Sequence, residues 1–189
     1  MNIEEAKKIT LSLINTFNRA GELALHLREI GLKKEIKLDN TPVSNGDIEV
    51  NKILTNEIKK LTPNIPIVSE ENSDHKKDKN LKDFWLIDPI DGTQDYINNR
   101  DEFTLNAALI LDKKPVIGII TAPAKKRIFY SYGISNSFEL VDNKQVNLSN
   151  KKKNYSGVKA VSYSNEIKTE ILEIHNKYKV TSYQKMKSS

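Results

Sequence analysis

Apolar residues at Ala6, Ile9, Leu13, Phe17, Ala20, Ala24 and Leu27 follow spacings of 3, 4, 4, 3, 4 and 3. That is one face of a long amphipathic helix, and Gly31 is a fitting stop. A polar connection, Lys33 to Asn45, contains the turn-prone Asn40-Thr41-Pro42. The spacing of Val50, Leu54, Ile58 and Leu61 predicts a second helix from about Gly46 to Leu61, closed by Thr62-Pro63 because a residue before proline is pushed out of the helical region. The period then shortens. Ile65 to Ser69 and Phe84 to Asp88 read as strands, separated by the charged loop Glu70 to Lys82. Phe103 to Leu111, Val116 to Thr121 and Arg127 to Tyr132 follow with links short enough for an antiparallel meander, and Phe138 to Leu148 adds a ragged edge pair. Beyond a Lys-rich linker, Asn147 to Asn154, the order becomes strand (Val158 to Ser162), helix (Ile167, Ile171, Ile174, Tyr178) and strand (Val180 to Met186). The expected fold is α+β over residues 1–154, two helices on a mainly antiparallel sheet, followed by the start of an α/β domain over 155–189.

Composition narrows the class. Of 189 residues, 38% are hydrophobic, enough for a core, and 30 Lys+Arg against 25 Asp+Glu leave a mild +5. Much of that excess lies in Lys76, Lys77, Lys79 and Lys151 to Lys153, which read as solvated loops. No basic and aromatic interleaving accompanies them, so no nucleic-acid partner is expected. The absence of Cys excludes disulfides, thiolate chemistry and zinc-thiolate or iron–sulfur sites, and agrees with a reducing cytoplasm. The longest apolar run, Leu105 to Leu111, is far too short to span a bilayer, and the acidic start Met1-Asn2-Ile3-Glu4-Glu5 is unlike a signal peptide. His26, His75 and His175 lack ligand spacing to one another, and Trp85 reads as core.

Chemistry concentrates in Phe84-Trp85-Leu86-Ile87-Asp88-Pro89-Ile90-Asp91-Gly92-Thr93, where an apolar strand runs directly into acids. Pro89 predicts a turn at that point. Ile65 to Ser69 ends the same way, at Glu70-Glu71, so neighbouring strands would bring three or four carboxylates together. Two carboxylates about 4 Å apart repel by roughly 4 kcal/mol at an effective dielectric near 20, which calls for a proton or a cation. Oxygen-only ligands suit Mg²⁺, with Mn²⁺ as the alternative, and paired divalent ions of this kind hydrolyse phosphate esters. Gly92-Thr93, ahead of the short stretch Gln94 to Ile97, would offer backbone N–H groups to a phosphate. As isolated dipeptides, Asp88-Pro89 and Asp91-Gly92 would be ordinary turn residues; the whole run argues otherwise.

Asp88-Pro89-Ile90-Asp91-Gly92-Thr93 and Ser69-Glu70-Glu71 resemble the signatures of the inositol monophosphatase superfamily. The flanks, Thr41-Pro42-Val43-Ser44, Leu61-Thr62-Pro63, Glu102-Phe103-Thr104-Leu105-Asn106 and Ala122-Pro123, look most like its CysQ-type 3′(2′),5′-bisphosphate nucleotidases. The resemblance implies a layered α/β sandwich and hydrolysis of adenosine 3′,5′-bisphosphate to AMP and phosphate. It implies two or three Mg²⁺ per intact site, held by Glu70, Asp88, Asp91 and the carbonyl of Ile90. Thr93 paired with Asp47 would activate water, Glu70 and Asp91 to Gln94 would contact substrate, and Glu71 would act from behind the ligands. Asp47 also fits a helix-start role in Ser44-Asn45-Gly46-Asp47. Homodimers are common in the family, which makes one a candidate assembly for a full-length chain.

The resemblance is incomplete. The family's later Trp-Asp motif is absent, since Trp85 precedes Leu86, and Lys187 stands where a Gly-Ser-Ser segment would begin with glycine before Ser188-Ser189. The chain therefore reads as a C-terminally truncated member, with a full-length parent expected to be active and this chain weak or inactive. The alternatives are inositol monophosphatase-like activity on another small phosphate ester, or an inactive metal- or nucleotide-binding fragment.

Overall fold

The computed structural model describes residues 1–37, 41–71, 80–142, 144–149, 157–162 and 167–185. His75, Lys76, Lys77, Lys79, Lys151 to Lys153, Met186 and Lys187 to Ser189 lie outside them. The chain forms two compact units, Met1–Asn150 and Lys151–Ser189.

In the first unit, helix α1 (Ile3–Ile30) opens with a capping box: Glu5 N donates to Asn2 Oδ1 and Asn2 N donates back to Glu5 Oε2, both at 2.9 Å. It ends before Gly31, whose φ of 104° favours glycine. Strands β1 (Lys34–Ile36) and β2 (Pro42–Ser44) pair antiparallel, so the expected polar connection is partly a hairpin. Its ladder is only three residues long, with β1 exposed, too short to leave an alternating pattern. Helix α2 (Asn45–Leu61) follows directly.

The seven-stranded sheet runs in sequence order from β3 (Ile67–Ser69), through β4 (Phe84–Asp91), β5 (Thr104–Leu111), β6 (Lys114–Ala122), β7 (Arg127–Tyr132) and β8 (Ser137–Val141), to β9 (Lys144–Asn147). Only β3–β4 is parallel. Strand β3 starts later than expected because Ile65 N is spent on Thr62 O and Pro66 has no donor. The β5–β6 link turns through Asp112 and Lys113, at φ 48° and 61°, the left-handed pair that a tight hairpin requires.

One face of the sheet carries Trp85, Ile87, Leu105, Leu109, Ile117 and Ile119, all fully buried against Leu13, Phe17, Ala20 and Ala24 of α1 and Val50, Leu54 and Ile58 of α2. Trp85 Nε1 donates to Thr62 Oγ1 at 2.9 Å, which ties the centre of the sheet to the end of α2. The opposite face exposes Leu86 and Ile120. The α+β arrangement expected from the sequence is therefore observed. In the second unit, β10 (Val158–Ser162) and β11 (Val180–Lys185) pair in parallel around α4 (Thr169–Lys177), the expected strand–helix–strand order. No described helix is long and apolar enough to cross a membrane.

A short helix, α3 (Thr93–Ile97), is fixed by Tyr96, whose hydroxyl donates to Ala24 O at 2.7 Å. Gly46 lies under that ring, and a Cβ there would stand 2.9 Å from Tyr96 Cζ. Gly46→Ala is thus expected to destabilise the chain by about 1–3 kcal/mol through overpacking. Urea unfolding would measure it, with a smaller loss expected in a Tyr96→Phe background.

Candidate functional site

The site is built where β3 and β4 end side by side. Glu70 N donates to Ile87 O at 3.1 Å, extending the parallel ladder by one residue and setting Glu70 beside β4. Behind it, Ser69 Oγ donates to Asn51 Oδ1 at 2.7 Å and accepts from Glu71 N at 3.3 Å, so α2 anchors the acidic pair.

Strand β4 does not turn at Pro89, contrary to expectation. It runs on to Asp91 through a bulge: Asp88 pairs with Asn106 and Asp91 with Thr104, so three steps on β4 oppose two on β5. Pro89 and Ile90 occupy the bulge and are buried in succession, where the missing proline donor costs no ladder bond. In a regular strand, residues 88 and 91 would point to opposite faces. The extra residue returns Asp91 to the face of Asp88.

Asp88 is strongly perturbed. Burial, then repulsion from Glu70 and Asp91, raises its carboxyl from 3.8 to about 7. A side-chain hydrogen bond with Glu70 and the charge of Asp47 act in the same direction. Its Oδ1 is buried without a hydrogen-bond partner among the described residues. Asp91 Oδ2 accepts from Asn106 Nδ2 at 3.4 Å.

Asp47 reaches the site from the first turn of α2. Its Oδ2 accepts from Ser44 N at 2.8 Å and Ser44 Oγ at 2.6 Å, while its Oδ1 accepts from Thr93 Oγ1 at 3.1 Å. Helix capping and contact with Thr93 thus use different oxygens of one carboxyl. Burial raises the Asp47 pKa against the lowering effect of these hydrogen bonds. Thr93 Oγ1 also lies 2.9 Å from Ile90 O, another acceptor for its single proton. Gly92, with φ 89°, turns the chain from β4 into α3, which starts one residue earlier than the stretch expected at Gln94.

The structure therefore brings together Asp47, Glu70, Asp88, Ile90, Asp91, Gly92 and Thr93. Gln94 is exposed, and its carbonyl accepts from Asn98 N and Nδ2 within α3's last turn. Glu71 is held in an ion pair with Lys37, 2.7 Å from Nζ, and Lys37 lies 3.6 Å from Glu70 Oε1. Burial lowers the Lys37 pKa, but the Glu71 hydrogen bond and the charges of Glu71, Glu70 and Asp47 outweigh it and leave it raised. Sequence reasoning missed Lys37 because a lysine in a polar connection carries no mark until the hairpin delivers it. His26 is exposed, His175 lies against Tyr183 in the second unit, and Trp85 is core.

Glu70, Asp88 and Asp91 are the side chains that could hold a cation, and the donor-free Oδ1 of Asp88 fits one. The carboxylates are neighbours rather than a closed cage: among the described residues, no three His, Cys, Asp or Glu groups gather closely enough to form one.

A sheet whose parallel strand ends present acids, backed by two helices and a glycine-turned short helix, defines a class of fold, and comparison with known proteins gives its family. The pattern of the inositol monophosphatase family matches residues 5–189, and the chain belongs to that family. The 3′(2′),5′-bisphosphate nucleotidase CysQ of Haemophilus influenzae is 41% identical over 111 residues, which cover 56% of this chain and 41% of that protein. The chain thus spans less than half the length of this relative. CysQ of Bacteroides thetaiotaomicron, a bacterial member of the same family, superposes with a TM-score of 0.65 at 23% identity, covering 95% of this chain and 72% of that one. An IMPase/NADP phosphatase crystallised with Mg²⁺ and phosphate superposes at 0.72 with 14% identity, covering 95% and 67%. These superpositions establish a shared fold.

The raised Asp88 pKa has a stability consequence. The neutral carboxyl favours the folded state, so its contribution is complete below about pH 4 and is lost as pH climbs towards about 7. Asp88→Asn removes that loss and is expected to stabilise the chain in EDTA at pH 8 by about 1–2 kcal/mol after solvent screening, with no gain at pH 4. Thermal melts at both pH values would check it.

Proposed function

We propose that this chain carries the metal-binding and water-activating part of a Mg²⁺-dependent phosphomonoester hydrolase acting on a small phosphorylated nucleotide, with adenosine 3′,5′-bisphosphate converted to AMP and phosphate. The observation that carries the proposal is the bulge that turns Asp88 and Asp91 to one face beside Glu70, leaving Asp88 Oδ1 without a donor among the described residues. The nucleotidase name of the Haemophilus relative supports the substrate, and the neighbour crystallised with Mg²⁺ and phosphate supports the ion.

Glu70, Asp88, Asp91 and the carbonyl of Ile90 are the proposed ligands. When bound, Mg²⁺ supplies positive charge for the phosphate and lowers the pKa of water. The remaining steps belong to the chain's own residues. Thr93 Oγ1 spends its proton on Asp47 Oδ1 or Ile90 O, so its lone pairs face outward to accept from a water. As water oxygen bonds to phosphorus and the ester P–O bond breaks, one water proton passes to Thr93 Oγ1 and the threonine's own proton moves to Asp47. The raised pKa of Asp47 makes it a better acceptor than an ordinary aspartate. The departing ester oxygen takes up a proton from solvent. N–H groups at Gly92 and Thr93 are the proposed donors to phosphate oxygens, and Lys37 adds positive charge beside Glu70.

Phosphate release from adenosine 3′,5′-bisphosphate tests the proposal. Expected is weak release that requires Mg²⁺, is abolished by Asp88→Asn and is lowered by Thr93→Ala. Proton uptake and release on metal binding give a second check: Mg²⁺ affinity should rise between pH 6 and 8 as Asp88 loses its proton. Release that ignores both Mg²⁺ and Asp88→Asn would sink the assignment, and faster release from inositol 1-phosphate would move the substrate elsewhere within the family.

A further inference from the structure

The β4 bulge leaves one β5 side chain facing both aspartates. Asn106 is the cross-strand partner of Asp88, and its Nδ2 donates to Asp91 Oδ2 at 3.4 Å. Its Oδ1 is buried and, like Asp88 Oδ1, finds no hydrogen-bond partner among the described residues. A buried amide oxygen without a donor destabilises the fold, so a position serving the sheet alone would be filled more favourably by an apolar or β-branched residue. The neighbours on this face, Leu86 and Ala108, show that apolar side chains are accepted there. A carboxylate in place of Asn106 would add another negative charge to Glu70, Asp88 and Asp91. An amide adds none, and it offers a donor and an acceptor at once.

We propose that Asn106 is a positioning residue of the cation site: its amide N–H holds Asp91 in place, and its carbonyl oxygen is kept for a water that hydrates the cation. This rests on reading Glu70, Asp88 and Asp91 as ligands. Groups that orient metal ligands from behind typically change affinity about 10–100-fold when removed.

The test is Mn²⁺ binding by electron paramagnetic resonance on the whole chain, with melting temperature in EDTA measured on the same samples. Asn106→Leu is expected to weaken Mn²⁺ binding at least about tenfold while its melting temperature in EDTA stays level or rises. Asn106→Ser, whose hydroxyl both donates and accepts, is expected to recover part of the affinity. An Asn106→Leu chain that binds within twofold of wild type overturns the inference. So does one whose affinity falls only together with its melting temperature, since that marks a structural role. Wild-type chain that binds no Mn²⁺, or binds equally with Asp88→Asn, overturns the ligand reading itself and this inference with it.

Discussion

One extra residue in β4 sets the geometry on which the rest of the site depends. Side chains alternate along a strand, so an acid three positions after another belongs on the opposite face. In a regular β4, Asp91 would be driven into the apolar layer between sheet and helices, and Asp88 would stand alone with Glu70. Pro89 and Ile90 absorb the difference by both turning inwards, which is why the bulge is apolar and why a proline is tolerated mid-strand. The register of β5 fixes the outcome, because Asn106 and Thr104 are the residues that meet the two aspartates.

Gathering acids in this way works against stability, and the surrounding structure offsets it with rigid supports rather than with scattered charges. The parallel contact with β3 is short but is extended by the Glu70 backbone bond and secured from behind by Ser69 and Asn51. Lys37 neutralises part of the charge at Glu71 and Glu70. The Asp47 carboxyl closes α2's capping box with one oxygen and meets Thr93 with the other, so helix start and candidate chemistry share one group. The two readings of Asp47 in the sequence, cap and base, are compatible because a carboxylate has two oxygens.

Much of this was legible from residue pattern. The 3.6-residue period of α1 and α2 and the meander β5–β7 follow from burial of one face, which sequence periodicity records directly. The Asp88–Thr93 run marked the site for the same reason: acids and a glycine directly after an apolar strand have few structural uses. What escaped was set by pairing rather than by composition. The bulge at Pro89 depends on which β5 residues lie opposite, and proline alone reads as a turn. The hairpin β1–β2 is too short to leave a pattern, so Lys37 could not be placed. Asn106 carried a resemblance but no role until its partner across the ladder was known.

One oxygen of Asp88 and the amide oxygen of Asn106 also separate folding from ligand binding. A site optimised for the empty fold would pair or replace these groups, as the Trp85–Thr62 bond does a few residues away. Asp88 Oδ1 and Asn106 Oδ1, buried without a partner among the described residues, instead store a deficit that a positively charged or donating occupant would remove. The deficit lies on a strand pair whose other face is buried, so relaxing it by shifting a strand would turn Trp85, Ile87, Leu105 and Leu109 out of the core. The core thus holds the acids in an arrangement that their own electrostatics oppose, and that opposition is the driving force available to a cation.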